Sequence, residues 1–142
     1  GIATQRSSKT IEVQAVTIDN LVESGEVPPP TVVKIDVEGA EPLVLDGMRN
    51  TLQHTGCRLL YCEVHLPSEK PRNSIEDFDM SLPEFEEMIT GLGYNIERRR
   101  EVSHGRRIFL KCRATEPAQP NCDGWPPLRR NTKNGLQFDK IR

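Results

Sequence analysis

Aromatic residues are scarce in this chain of 142 residues, and long apolar runs are missing. Phe, Trp and Tyr make up 5% of the sequence and hydrophobic residues 35%, so part of the chain is predicted to lie outside any core. No apolar stretch approaches the roughly 20 residues that a transmembrane helix needs, and no secretory signal is recognisable. We therefore expect no membrane partner.

The sequence also has no strong excess of charge and no paired cysteines. A formal net charge of −2 leaves no basic footprint for a nucleic-acid partner. The four cysteines form no C-x-x-C pair, which disfavours a disulfide framework and a zinc site; they are Cys57, Cys62, Cys112 and Cys122. Thiols of this kind indicate a reducing compartment, and a cytoplasmic location is expected.

A strand–helix–strand unit is predicted in the first half of the chain. Residues 32–37 form a β-branched run typical of a strand buried on both faces of a parallel sheet. Gly39 makes the turn, and Pro42 suits the first turn of a helix that runs to about Gln53. Residues 57–65 form a second buried strand, so the two strands are expected to be parallel.

The segments on either side of this unit are shorter. Alternating apolar and polar residues over 11–16 predict a half-buried strand. Residues 17–22 are predicted to form a short helix, with Thr17 or Asp19 as its cap. Residues 66–80 are rich in Pro, Ser, Asn and Asp, which predicts a loop.

The second half is predicted to close the sheet with a hairpin. A capping box at 81–84 begins a helix, and its apolar face has helical spacing; the residues are Phe85, Met88, Ile89 and Leu92. Residues 94–102 and 106–113 are predicted to pair as antiparallel strands. Residues 115–142 hold four prolines and are predicted to form an extended tail, so the domain is assigned to 1–114.

Three carboxylates lie where the first predicted buried strand ends. In an open α/β sheet, ligands bind beyond the carboxyl ends of the strands. Asp36 is interpreted as a contact for cofactor or substrate, with a helix-capping acid as the alternative. Glu38 and Glu41 could bind a hydroxyl or a divalent ion, or simply lie where acids favour a helix N-terminus.

Glu63 and His65 end the second predicted strand and are expected beside Asp36. A charged Glu63 inside a buried strand is costly unless it is paired, which favours a role in a site. His65 suits a general base, because its ordinary pKa is about 6.5, but it equally suits a hydrogen-bonded histidine at a strand end. A site made of carboxylates alone would suit a hard ion such as Mg²⁺, and we assign no metal ligand.

Three sequence boxes resemble the FkbM-type methyltransferase family over roughly residues 11–113. They are T-I-D-N-L at 17–21, V-K-I-D-V-E-G-A-E-P-L-V-L-D-G at 33–47 and Y-C-E-V-H at 61–65. The order of the elements also resembles the C-terminal half of a class I methyltransferase that depends on S-adenosylmethionine.

This resemblance implies a fold, a reaction and a site. The fold is α/β, a partial class I (Rossmann-like) sheet that holds strands four to seven and ends in an antiparallel hairpin. The implied reaction is methyl transfer from S-adenosylmethionine to an oxygen of a small molecule or glycan. The implied site residues are Asp36, Glu63 and His65 for catalysis and Glu38, Gly39 and Glu41 for binding acceptor or cofactor.

The sequence departs from the family where the cofactor would be held. Class I methyltransferases use a glycine-rich turn after the first strand, whereas Gly25, Gly39, Gly47 and Gly56 form no such cluster. We therefore expect a fragment with an incomplete cofactor site, inactive when isolated, whose exposed sheet edge allows a homodimer. The alternative is a non-catalytic remnant acting as an interaction domain; another nucleotide-binding α/β fold is disfavoured by the hairpin.

Overall fold

The computed structural model describes residues 13–54, 56–68, 73–102 and 104–115. Within these ranges, four helices, one 3₁₀ turn and four strands follow one another. They are α1 (Ile18–Glu23), β1 (Val32–Ile35), α2 (Glu41–Asp46), α3 (Arg49–His54), β2 (Leu59–His65), the 3₁₀ turn (Ile75–Phe78), α4 (Leu82–Gly91), β3 (Tyr94–Val102) and β4 (Arg107–Ala114).

The four strands form one mixed sheet in the order β1-β2-β4-β3. β1 and β2 are parallel, with Ile35 opposite Cys62, and β4 runs antiparallel to both of its neighbours. The predicted strand–helix–strand unit and the closing hairpin are therefore confirmed. The chain is an α/β protein whose sheet is compatible with a Rossmann-like fold.

The hydrophobic core lies on one face of this sheet. Alternate residues of β2 and β4 point into it, and the helices cover them with their apolar faces. The main core residues are Leu60, Cys62, Val64, Ile108, Leu110, Cys112, Leu45, Met48, Leu52, Phe85, Met88 and Ile89. Each buried aliphatic or aromatic side chain contributes about 1.5–3 kcal/mol relative to exposure, so this layer supplies most of the stability.

Three cysteines lie in or beside this core as free thiols, as predicted. Cys57, Cys62 and Cys112 are all buried and unbridged. Burial disfavours the charged thiolate, so the pKa of Cys112 rises to about 12 and that of Cys62 rises well above its ordinary value. Cys122 lies outside the described residues. These thiols act as small apolar side chains.

β1 is not the doubly buried strand that its sequence predicts. It ends at Ile35 rather than Val37, and it forms an edge of the sheet. Only Ile35 is fully buried, while Val32 is 53% exposed. A continuous β-branched run normally marks an interior strand, so the error arises because, within the described residues, β1 pairs with β2 alone.

The single helix predicted from Pro42 to Gln53 is two helices, separated at Gly47. Glycine is a poor helix former, and at this point Thr17 Cγ2 lies 3.4 Å from where a Cβ would stand. Asp19, a residue of α1, caps the start of α3. Its carboxylate accepts hydrogen bonds from the Asn50 and Thr51 N–H groups at 3.1 and 2.7 Å. Thr17 caps α1, so the two candidate caps serve different helices.

One further prediction about local structure was wrong, and another was incomplete. Residues 13–16, the described part of the predicted 11–16 strand, are exposed and lie in no strand. The predicted 66–80 loop contains the 3₁₀ turn, which buries Ile75 and Phe78 and begins with a capping box between Ser74 and Asp77. By contrast, the Ser81–Glu84 capping box of α4 is confirmed. The predicted 115–142 tail lies outside the described residues beyond Thr115.

No helix within the described ranges is long and apolar enough to cross a membrane.

Candidate functional site

The candidate site lies at the carboxyl edge of the two parallel strands. Asp36 directly follows β1, and His65 is the last residue of β2. Because parallel strands end at the same edge of a sheet, the two side chains are brought together. One ligand atom each from Asp36, Glu38 and His65 lies within 4.8 Å of the others. We call these three residues the carboxyl-edge cluster.

The backbone after β1 turns sharply to bring Glu38 into this cluster. Glu38 has φ +53°, a left-handed conformation that is uncommon for a residue with a side chain. Gly39 follows with φ +101°, and a Cβ there would lie 2.5 Å from backbone atoms of Asn73 and Ser74. Only glycine fits this approach. Gly39 therefore has a structural role, and it fixes where the acids on either side of it lie.

Glu41 lies behind His65 rather than in the cluster. Its side chain is 0% exposed, and its Oε1 lies 2.7 Å from His65 Nδ1. The same oxygen accepts a hydrogen bond from the Gly39 N–H at 3.0 Å. A carboxylate in this position orients an imidazole ring and holds the hydrogen on Nδ1. The other ring nitrogen, Nε2, faces the cluster, 3.6 Å from Glu38 Oε2.

Glu63 does not join the cluster. It lies on β2 and forms an ion pair with Arg107 of β4, the strand on the other side of β2. Because successive residues of a strand alternate in direction, Glu63 lies on the same side as His65, but two residues back from the edge. The ion pair compensates for the charge of a half-buried acid in a strand, and a catalytic role for Glu63 stays a prediction.

Asp36 carries a salt bridge of its own. Lys34 Nζ lies 2.9 Å from Asp36 Oδ2. This ammonium is the main cause of a lowered pKa for Asp36, with smaller contributions from His65 and Arg107. The Asp36 side chain is 35% exposed, so the carboxylate stays ionised and open to a ligand.

Lys34 and Arg107 are not among the site residues predicted from the sequence. Lys34 stands two residues before Asp36, a spacing that puts both on one side of an extended chain, and this signal could have found the pair. Arg107 lies opposite His65 in the sheet register, which depends on a pairing between residues 42 positions apart. No local pattern indicates that contact.

The fold and this edge define a class of protein. Acids and an imidazole at the carboxyl ends of parallel strands are the arrangement of a ligand site in an open α/β sheet. A family model described as "Methyltransferase FkbM domain" matches residues 1–96, about two thirds of the chain. The chain therefore belongs to the FkbM methyltransferase domain family, as the sequence boxes indicate.

One curated relative matches part of the chain. It is the hexuronic acid methyltransferase AglP of Haloferax volcanii, 48% identical over 56 residues. Those residues make up 39% of this chain and 23% of the relative, so the chain matches less than a quarter of that protein. No solved structure matches the chain.

Proposed function

We propose that this chain is part of an S-adenosylmethionine-dependent methyltransferase that methylates an oxygen of a small molecule or glycan. The carboxyl-edge cluster carries this proposal, because it collects two carboxylates and an imidazole where an α/β sheet binds its ligands. Membership of a methyltransferase family supports the reaction. The name of the AglP relative, a hexuronic acid methyltransferase, supports a sugar-like acceptor with a carboxylate.

The reaction makes two demands on the protein. When bound, S-adenosylmethionine would supply the methyl group that is transferred to the acceptor oxygen. The residues of this chain hold the acceptor oxygen in line and draw off its proton. His65 Nε2, Asp36 and Glu38 face the same space and are assigned to this task. Glu41 positions His65, and Glu63 anchors β2 to β4 through Arg107.

The cofactor-binding elements belong to a region before this chain in the proposed enzyme. In this arrangement, β1 to β4 correspond to strands four to seven of a class I sheet, and the exposed edge of β1 faces the remaining strands. Support comes from the exposed Val32 and from the short share of the AglP relative that the chain matches. The isolated chain is then inactive.

The test uses the complete product of the gene. Isothermal titration calorimetry is expected to show binding of S-adenosylmethionine, and transfer of a labelled methyl group is expected to a glycan that contains a hexuronic acid. Failure to bind the cofactor would reject the proposal and favour the interaction-domain alternative. Binding without methyl transfer to any hydroxyl or carboxylate oxygen of an acceptor would reject the assigned reaction.

A pair of histidine variants locates the reaction. His65→Asn is expected to lower kcat by about 10²–10⁴-fold, the usual contribution of a positioned acid or base. His104→Asn serves as the matched control, since His104 is exposed in the turn between β3 and β4. Equal kcat values for the two variants would remove the carboxyl-edge cluster from the mechanism.

A further inference from the structure

The carboxyl-edge cluster contains a buried nitrogen that has no hydrogen-bond partner among the described residues. The His65 side chain is 6% exposed, and its Nε2 makes no hydrogen bond with any of the described residues. Leaving a buried polar atom unpaired costs about 1–3 kcal/mol. Two carboxylates also lie close to this nitrogen. The cost of leaving it unpaired there indicates that a bound group interacts with Nε2 when the site is occupied.

The opposite side of the ring is firmly held. Glu41 Oε1 lies 2.7 Å from Nδ1, and the Gly39 N–H fixes that carboxylate in turn. Histidines that bind metal ions characteristically have a carboxylate or carbonyl on their second nitrogen, which sets the tautomer and raises the basicity of the ligand. The Glu41–His65 pair has this arrangement, and its free nitrogen points toward acids rather than toward another donor.

The donor atoms are spaced for a single ion. Metal bonds of about 2.0–2.2 Å to nitrogen and oxygen put neighbouring ligand atoms about 3 to 4 Å apart. The cluster atoms already lie within 4.8 Å of one another, and Glu38, which is 70% exposed, is free to rotate inward. Three protein ligands and an exposed outer side leave coordination positions open.

We propose that Asp36, Glu38 and His65 bind one divalent transition-metal ion such as Mn²⁺. Two carboxylates alone would suit Mg²⁺ or Ca²⁺, but the imidazole shifts the preference toward first-row transition metals. This extends the sequence interpretation, which assigned no metal. If the proposed function also holds, the ion deepens it, because an open position would bind the acceptor hydroxyl and make it more acidic.

Lys34 forms a salt bridge with Asp36, one of the proposed metal ligands. Its ammonium lies 2.9 Å from Asp36 Oδ2 and is 60% exposed, so it occupies a carboxylate that the ion needs and is free to swing away. A bound cation therefore competes with Lys34 for Asp36. Removing the ammonium should strengthen metal binding, whereas removing a ligand should weaken it.

Mn²⁺ binding is measured on the complete gene product by calorimetry and by loss of the EPR signal of free Mn²⁺. We expect one site per chain and tighter binding of Mn²⁺ than of Mg²⁺. Glu38→Gln is expected to raise the Kd at least about tenfold, and Lys34→Gln to lower it a few-fold. Glu41→Gln is expected to raise the Kd about 10–100-fold, as for other residues that orient a ligand.

Glu87→Gln is the matched control, because Glu87 is an exposed glutamate of α4 outside the cluster. Since Glu38 is also exposed, its variant should remain folded even where Glu41→Gln does not. No Mn²⁺ binding, or equal Kd values for Glu38→Gln and Glu87→Gln, would overturn the proposal. Cofactor binding without Mn²⁺ binding would reject the metal site alone, and the reverse result would reject the proposed function alone.

Discussion

The two ends of the sheet differ in how completely the polar groups near them are paired. We call the end formed by the β3–β4 hairpin the hairpin side and the end formed by β1 the β1 side. On the hairpin side, the buried hydroxyl of Tyr94 donates to a backbone carbonyl at 2.8 Å, and Glu97 forms an ion pair with Lys111 at 3.0 Å. On the β1 side, Glu41 Oε2 and His65 Nε2 are buried and, within the described residues, unpaired. Unpaired buried groups lower the free energy of unfolding. Their presence on the β1 side therefore indicates a ligand site that is retained at a cost in stability.

The two edge strands differ in the same sense. β3 presents a run of exposed charged residues, 97–101, which discourages pairing with another chain. β1 has an exposed Val32 and only four residues. The hairpin edge is therefore protected, whereas the outer edge of β1 has no such run of charges and, within the described residues, no neighbouring strand. A homodimer through this edge stays a prediction.

The largest expected effect is on the hairpin side. Phe85 of α4 is 0% exposed, so Phe85→Ala is expected to reduce the free energy of unfolding by about 3–5 kcal/mol. Urea denaturation measures this loss, with Glu87→Ala as an exposed control expected within about 0.5 kcal/mol of wild type. If Phe85→Ala proves unfolded, Phe85→Leu tests the same packing with a smaller loss. Equal losses for Phe85→Ala and its control would place the main core elsewhere.

An intermediate effect is expected beside the site. Gly39→Ala combines a strained φ of +101° with contact between its Cβ and the backbone at Asn73, so a loss of about 2–4 kcal/mol is expected. Gly105→Ala is the matched control from the hairpin, with φ +76° and no atom within 4 Å of its Cβ. Thermal denaturation should show the larger loss for Gly39→Ala. The reverse order would mean that the 73–74 backbone yields easily.

The smallest expected effect concerns the cap of α3. Asp19→Ala removes the acceptor for two N–H groups at 2.7 and 3.1 Å and should cost about 1–2 kcal/mol. Ser81→Ala removes the corresponding cap of α4 and gives a comparison from the other side. Urea denaturation of both variants would show whether a cap supplied from 31 residues away is as effective as a local one. A negligible loss for Asp19→Ala would contradict its role as a cap.

Much of the fold follows from local patterns. The bounds of β3 were predicted as observed, and the Ser81 capping box marked the start of α4, because both depend on neighbouring residues. The break at Gly47 was missed because the cap that begins α3 comes from Asp19. The exposure of β1 was not predicted from its own residues, although the family resemblance implied an exposed sheet edge, because burial depends on neighbouring strands, which the sequence of the strand does not specify.

The candidate site was predictable only in part. The convergence of Asp36 and His65 follows from two parallel strands ending together. The position of Glu41 behind His65 does not follow from the strands. It depends on the turn at Gly39, whose backbone packs closely against the backbone of Asn73. The pairing of Glu63 with Arg107 likewise depends on the register of β2 against β4.

The single turn that joins β3 to β4 also has a consequence for the order of folding. Four residues, 103–106, separate these strands, whereas 23 residues, 36–58, separate β1 from β2. The entropy of closing the longer connection is greater by about 1.5 kcal/mol, and the parallel pair has fewer ladder contacts to offset it. We therefore expect the hairpin to form first, and Asp36 and His65 to come together after the scaffold beside them has formed.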